Sequence, residues 1–310
     1  MKWKLKIKNY YRFICSIIIF IVIILLTIVG ITNIFSKHSE NNKIISDELT
    51  SSSLEISKSE NKENKEENKN HKTHKSRVMP LNNGEKSDKA LPVLMYHYFY
   101  DDINGETALN SNFMPISSFE KQLNYLNENN YYYPTWDEVA DFVDGKIDLP
   151  DKSVVLTMDD GDESVFNLAL PLLEKYEVTA TAFIITSIID ENELKKYADS
   201  IIDLESHTDD MHRGGGTYGH GGIFPALSLE ESTEDLKTSI RKLGGNSGAL
   251  AYPFGDCTKK TKEAAKNAGF KVAFTTSNDK VTPGMDKYEL PRVRMFTEIS
   301  LEGFKYSISN

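Results

Sequence analysis

Cysteine is all but absent. The chain has only Cys15 and Cys257, and Cys15 opens an apolar run, so the two are not expected to meet and no intramolecular disulfide is expected. Cys257 reads as a small buried hydrophobe rather than a reactive thiol. A basic excess is lacking too. The net charge of −10 divides into +5 over residues 1–88 and −15 over residues 89–310. An acidic main domain argues against nucleic acid, whose binding needs neutralised phosphates. It leaves a neutral or cationic polymer open as a partner. Between Leu54 and residue 88 large apolar residues almost vanish in favour of Ser, Asn, Lys and Glu. Such a stretch cannot bury a core and reads as a disordered tether. His71 and His74 lie in it with no further ligand near them and read as solvated. No internal repeat is visible.

The N-terminus has its own pattern. Residues 1–12 carry Lys2, Lys4, Lys6, Lys8 and Arg12 with no acid, and residues 13–35 are uncharged and mostly Ile, Val and Leu. That run is long enough to cross a bilayer as a helix, with its basic flank inside the cell. A cleaved signal peptide would have a shorter apolar core and an A-x-A-like site, which is missing here. A lipoprotein would carry its cysteine after the run, and Cys15 precedes most of it. The expected organisation is a cytoplasmic tail at 1–12, an uncleaved membrane anchor at 13–35, an extracellular linker at 36–88 and a folded domain at 89–310.

Within the domain, strand and helix patterns alternate. Strands are expected at 92–96, 153–158, 179–186, 201–204, 249–252 and 271–275. Helices are expected at 119–126, at 165–176 with an interruption at Pro171, and at 259–267 closed by Gly269. Thr135-Trp136-Asp137-Glu138 and Ser228-Leu229-Glu230-Glu231 are capping boxes that open two more helices. Repeated β-α units imply an α/β fold with parallel strands and flanking helices. The length suits an irregular (β/α) barrel of about seven strands, with an open doubly wound sheet as the alternative.

The chemistry collects at strand ends. Val154-Val155-Leu156-Thr157-Met158 reads as a buried strand ending in Asp159-Asp160-Gly161. Adjacent carboxylates there can divide the work of metal ligand and proton acceptor, although Asp-Asp-Gly is also an ordinary turn. Of the four histidines in residues 89–310, His207 and His212 follow another strand and His97 ends the first, while His220 lies among glycines. A five-residue spacing separates two helical side chains by about 140°, so His207 and His212 must act from a loop. Gly214-Gly215-Gly216 and Gly221-Gly222 agree with that. Two imidazoles and a carboxylate with an open position form a usual catalytic site for Zn2+ or Fe2+. Ala251-Tyr252-Pro253-Phe254-Gly255-Asp256 leaves a further strand through a sharp turn that can aim backbone N–H groups at a ligand, or simply connect strand to helix.

Taken together, Thr157-Met158-Asp159-Asp160-Gly161, the His207/His212 pair and Tyr252-Pro253-Phe254-Gly255 resemble the first three motifs of the polysaccharide deacetylases, the nodulation-type deacetylase domain. The resemblance covers about residues 91–310. Leu94-Met95-Tyr96-His97 and the histidine spacing look most like the poly-N-acetylglucosamine deacetylases of biofilm systems, whose motif order is permuted. In that branch a histidine on the first strand replaces one near the C-terminus, and no histidine follows His220 here. The resemblance implies that Asp160, His207 and His212 bind a divalent metal, Zn2+ by default, with Fe2+, Co2+ or Ni2+ as alternatives. It implies that Asp159 is the base, that His97 protonates the leaving amine, and that Tyr252, Pro253, Phe254 and Gly255 line the substrate and oxyanion position. The implied reaction is hydrolysis of N-acetyl groups on an extracellular polysaccharide. A non-catalytic glycan-binding module and an O-acetyl esterase are the competing readings. Some positions depart from the family. Asp162 stands where an aromatic is common and is expected to raise the pKa of Asp159 by like charge. Ala251 stands where other branches carry arginine. The base-orienting partner is then sought at Arg292 or Arg294.

Overall fold

The computed structural model describes residues 79–81 and 87–309. The expected tail, the expected anchor and most of the expected linker lie outside them. Among the described residues no helix is long and apolar enough to cross a membrane.

In chain order the elements are β1 (Met79–Pro80), β2 (Val93–Tyr96), β3 (Tyr98–Tyr100), β4 (Phe113–Pro115), α1 (Ile116–Glu128), α2 (Trp136–Val143), β5 (Ile147–Asp148), β6 (Val155–Met158), α3 (Leu170–Tyr176), β7 (Ala180–Ile184), α4 (Glu191–Leu194), β8 (Ile202–Ser206), α5 (Leu229–Lys242), β9 (Ala249–Ala251), α6 (Lys259–Ala268), β10 (Val272–Phe274), β11 (Val293–Arg294) and α7 (Leu301–Ile308). Both expected capping boxes form, Thr135 with Glu138 and Ser228 with Glu231, and Gly269 closes α6 in the left-handed conformation. The expected 165–176 helix starts as a π-helical turn at Val165–Ala169, and α3 then begins with Pro171 in its first turn. Proline is tolerated there because that N–H would have no intrahelical partner.

Seven strands form one parallel sheet in the order β10-β9-β8-β7-β6-β2-β11. Leu290, just ahead of β11, bridges Phe274 of β10, while Val293 pairs with Leu94 of β2. The segment that carries one edge strand, β11, thus also meets the opposite edge strand, β10, so the sheet is curled with helices outside it. An open doubly wound sheet would leave those two edges apart. Met79–Pro80, from the end of the expected linker, pairs antiparallel with β5.

Period-two alternation sorts the strand residues. Val93, Val155, Phe183, Ala249, Ala251, Val272, Phe274 and Leu290 pack together with Trp136 inside the curl. Their strand neighbours Leu94, Leu156, Ala182 and Ile184 pack outward on Phe119, Leu123, Leu173 and Phe304. On the far side Leu250 and Ala273 pack on Leu236, Ala264 and Ala265. The inward row continues past the apolar layer as Thr157 and Asp159 on β6, His97 beyond β2 and His207 beyond β8. In this way the sheet's alternation selects which residues can meet at its C-terminal end.

One inward residue breaks the apolar layer. Glu205 is buried, accepts the amide N–H groups of Gly248 and Ala249 at 3.2 and 3.1 Å, and has no ion pair among the described residues. Burial pushes its pKa up to about 8. A carboxyl raised in the folded state favours folding while both states are protonated, and that contribution is lost as pH rises through the folded value. The loss is on the order of 5 kcal/mol once both states are ionised. Thermal unfolding should therefore show the midpoint falling between about pH 4.5 and 8 and levelling off above that, with a flatter profile in Glu205→Gln. Identical profiles would exclude Glu205 as the source.

Candidate active site

The register brings four strand ends to one place. Tyr96 pairs with Met158, which sets His97 beside Asp159, and the Asp159 amide donates to Tyr96 O at 3.0 Å. Ile184 pairs with Ser206, and Ser206 with Leu250, which sets His207 beside Ala251. Each loop then turns sharply. Asp160, Thr208 and Phe254 have φ of +74°, +73° and +59°. A left-handed non-glycine residue costs of order 1 kcal/mol and collects where a side chain must be re-aimed. The His207–His212 loop is held from outside by Asp235, whose two carboxylate oxygens accept the amides of Asp209 and Asp210 at 2.8 and 2.9 Å.

Asp160, His207 and His212 then converge. One ligand atom from each lies within 4.8 Å of the others, and both Nε2 atoms are 3.4 Å from Asp160 Oδ1. His207 Nδ1 donates to Ala251 O at 2.8 Å, which leaves Nε2 free to ligate. The Phe254 ring packs against His212 with centroids 4.6 Å apart. Tyr98 donates its hydroxyl to Asp160 Oδ2, so that one carboxylate oxygen faces the histidines and the other is held in place. Burial raises the pKa of Asp160, but His207 and Tyr98 outweigh it and keep the carboxylate ionised. Three converging donors of this kind, with the tautomer of one imidazole set by the backbone, fit a divalent cation.

Asp159 is 2% exposed and Arg292 fully buried. Arg292 grips both oxygens, Nη1 to Oδ1 at 2.6 Å and Nη2 to Oδ2 at 2.7 Å. Its other donors reach Thr157 Oγ1 at 3.1 Å and Thr275 O at 3.2 Å. Burial pushes the Asp159 pKa up, and Arg292 with His207 and His97 brings it below the ordinary value. This corrects the expectation for Asp162. The Asp159 pKa falls rather than rises, with Arg292 and not Asp162 among its main influences, and the Asp162 carboxylate caps the following turn by accepting the Ser164 amide at 2.9 Å. Arg294 is exposed and bonds Asn112 Oδ1 at 2.5 Å, away from Asp159. His97 Nδ1 is buried without a hydrogen-bond partner. Burial lowers the His97 pKa, whereas Asp159 and Asp160 act to raise it.

The Tyr252–Gly255 turn is divided. Tyr252 is buried and spends its hydroxyl on Tyr288 O at 3.0 Å, so its ring does not line the site. Pro253 has no N–H, and the amides of Gly255 and Asp256 are bonded within the turn at 2.9 and 3.1 Å. Tyr98 escaped the sequence reading because adjacent strand residues point to opposite faces. The break between β2 and β3 at His97 is what lets both His97 and Tyr98 reach the site.

A family profile described as polysaccharide deacetylase matches residues 146–273. That span contains the Asp159-Asp160 pair, His207, His212 and the Tyr252–Gly255 turn, and omits His97 and Arg292. The chain is similar to a poly-β-1,6-N-acetyl-D-glucosamine N-deacetylase of Staphylococcus epidermidis, 29% identical over 211 residues, 63% of this chain and 72% of that protein. Its structure is similar to IcaB from Ammonifex degensii, with a TM-score of 0.58 and 25% identity over 72% of this chain and 97% of that one. The fold is shared with the Streptococcus pyogenes deacetylase PplD, solved with acetate, at a TM-score of 0.61 and 23% identity over 75% of this chain and all of that one.

The geometry predicts one divalent ion per chain. In competition with a chromophoric chelator, His212→Ala should weaken Zn2+ binding at least about 100-fold, and Tyr98→Phe about tenfold through the freed Asp160 oxygen. Unchanged affinity in His212→Ala would rule out this ligand set.

Proposed function

Since this chain carries a polysaccharide deacetylase domain, we propose that it hydrolyses N-acetyl groups of a poly-N-acetylglucosamine-type polysaccharide in a metal-dependent reaction. The carrying observation is the convergence of Asp160, His207 and His212 beside an ionised Asp159 gripped by Arg292.

A divalent cation held by Asp160, His207 and His212, with Zn2+ the natural choice, supplies Lewis acidity toward the acetyl carbonyl and an acidified water. The rest falls to the chain's own groups. Arg292 holds Asp159 ionised and fixed in direction, and each carboxylate oxygen keeps a second lone pair to accept the proton of the attacking water. The Phe254 amide is the one assigned to the developing oxyanion, since the other amides of that turn are taken or missing. His97 is neutral at rest and must be charged before it protonates the departing amine. Asp159 and Asp160 favour that charge. Its unpartnered Nδ1 is explained by a role that begins when substrate arrives. The products are acetate and a glucosamine unit.

Acetate release from N-acetylglucosamine oligomers should require added metal and stop with chelator. Asp159→Asn should lower kcat by at least about 1,000-fold while the ion stays bound. Wild-type turnover in that variant would mean that the base is another group. Faster release from O-acetylated polymers in the same assay would move the reading to an esterase.

The cell-surface setting belongs to the same proposal. An anchor at 13–35 and a tether at 36–88 would hold the domain outside the membrane, within reach of surface polysaccharide. Protease added to intact cells should release the folded domain and leave the N-terminal segment in the membrane. Protection of the domain would reverse this orientation.

A further inference from the structure

The chemistry above leaves the glycine-rich loop after His212 unused. It is a narrow hairpin. Gly214 bridges Gly222, and the amides of Gly215 and Gly216 both donate to Gly221 O at 3.1 and 3.0 Å. The Gly221 amide closes on Tyr218 O at 2.8 Å, which makes Tyr218-Gly219-His220-Gly221 the tip. Buried Asp256 supports that tip. Its Oδ1 accepts the His220 amide at 2.8 Å and its Oδ2 the Gly222 amide at 3.1 Å. A Cβ on Gly219, whose φ is +55°, would lie 2.0 Å from Asp256 Oδ1, and one on Gly222 would lie 2.9 Å from the Phe254 ring. The hairpin is therefore pressed onto the turn whose Phe254 packs against His212. Its position is fixed relative to the ligand group by close packing.

Two side chains of this tip face solvent. Tyr218 is 51% exposed, and its hydroxyl donates to Cys257 O at 3.0 Å, which pins the ring and leaves ring surface open. The His220 side chain is 70% exposed, with Nδ1 3.2 Å from Asp256 Oδ1. A carboxylate only accepts, so Nδ1 is the donor and Nε2 is left for an outside partner. Both groups are ordered before any ligand arrives, which lowers the entropy lost on binding. A pyranose ring offers an apolar C–H face edged with hydroxyls, and an aromatic surface beside a hydrogen-bonding group suits it.

The geometry points to a subsite for a sugar unit next to the reacting one. Tyr218, held by Cys257 O, stacks on its ring, His220 Nε2 accepts from one of its hydroxyls, and Asp256 is the positioning residue that holds His220. This rests on the polysaccharide reading above. The test measures binding of a β-1,6-linked N-acetylglucosamine pentamer to the full chain by calorimetry, together with acetate release from pentamer and monomer. Tyr218→Ala should weaken pentamer binding about tenfold, and His220→Ala about fivefold. Both should raise KM for the pentamer more than they change kcat, lowering the pentamer-over-monomer ratio of kcat/KM. Tyr218→Phe, which keeps the ring but frees it from Cys257 O, should lose less of that ratio than Tyr218→Ala. Pentamer binding unchanged in both alanine variants would overturn the subsite. Tyr218-dependent binding without acetate release would support the subsite and overturn the hydrolytic reading. A wild-type chain that bound no pentamer would overturn both.

Discussion

The Arg292 guanidinium lying along the Asp159 carboxylate is the contact on which the rest of the site depends. Two fully buried charges are expensive to desolvate, and a well-packed apolar pair would often be as stable. Stability is thus a weak reason for the pair to exist. A second carboxyl in the same interior shows what the pair does. Glu205 is also buried, has only two amides as partners, and moves up to about 8. Asp159 is buried more completely and moves down. The difference lies in the cation, which offers two charge-assisted bonds in the geometry that a carboxylate matches. Without Arg292, burial would act on Asp159 with less to oppose it, in the direction seen at Glu205.

Arg292 can do this because of where the curled sheet ends. It lies between Leu290, which bridges β10, and Val293, which pairs with β2. From that seam its side chain reaches Thr275 O past β10 and Thr157 on β6. It also lies over the Phe183 ring, 5.5 Å from the centroid. The seam, the base and the apolar layer below form one packed column. The ligand group sits beside this column, reached through the register of β6, β7, β8 and β9.

Much of this was legible in the sequence because it is local. The Val-Val-Leu strand with its terminal carboxylates, the capping boxes and the histidine spacing that excluded a helix all depend on neighbours within a few residues. The parallel sheet followed from the repeated β-α pattern, and its curl agrees with the barrel that the length suggested. What was not legible is long-range. Arg292 and Asp159 are 133 residues apart, and nothing local separates Arg292 from Arg294. Both arginines share the parity of Leu290, and only the folded contacts separate them, Arg292 reaching Asp159 and Arg294 reaching Asn112 at the surface. Asp235 and Asp256 look like ordinary acidic residues in the chain, yet each holds a loop by accepting its amides. Asp162 was misjudged for the same reason. Proximity in sequence suggested repulsion of Asp159, while the decisive charge came from the other end of the domain.

The charge balance of the site follows from these contacts. Asp159 and Asp160 are both held ionised and Arg292 cancels one of them, so with the imidazoles neutral, as ligation of a metal requires, the residues leave one negative charge. That sign would oppose the proposed reaction, because attack on an amide builds negative charge on oxygen. It suits capture of a divalent cation, and with that cation the balance becomes one positive charge. Replacing Arg292 by a neutral residue would not simply return the carboxylate to a negative site. Burial would favour the protonated form of Asp159 instead, which in the proposed mechanism would weaken the base with little change in the net charge. The arginine therefore contributes less to the net charge than to its location: it keeps the negative charge on Asp159 where a proton must be accepted and leaves the positive balance beside Asp160, where the oxyanion would form.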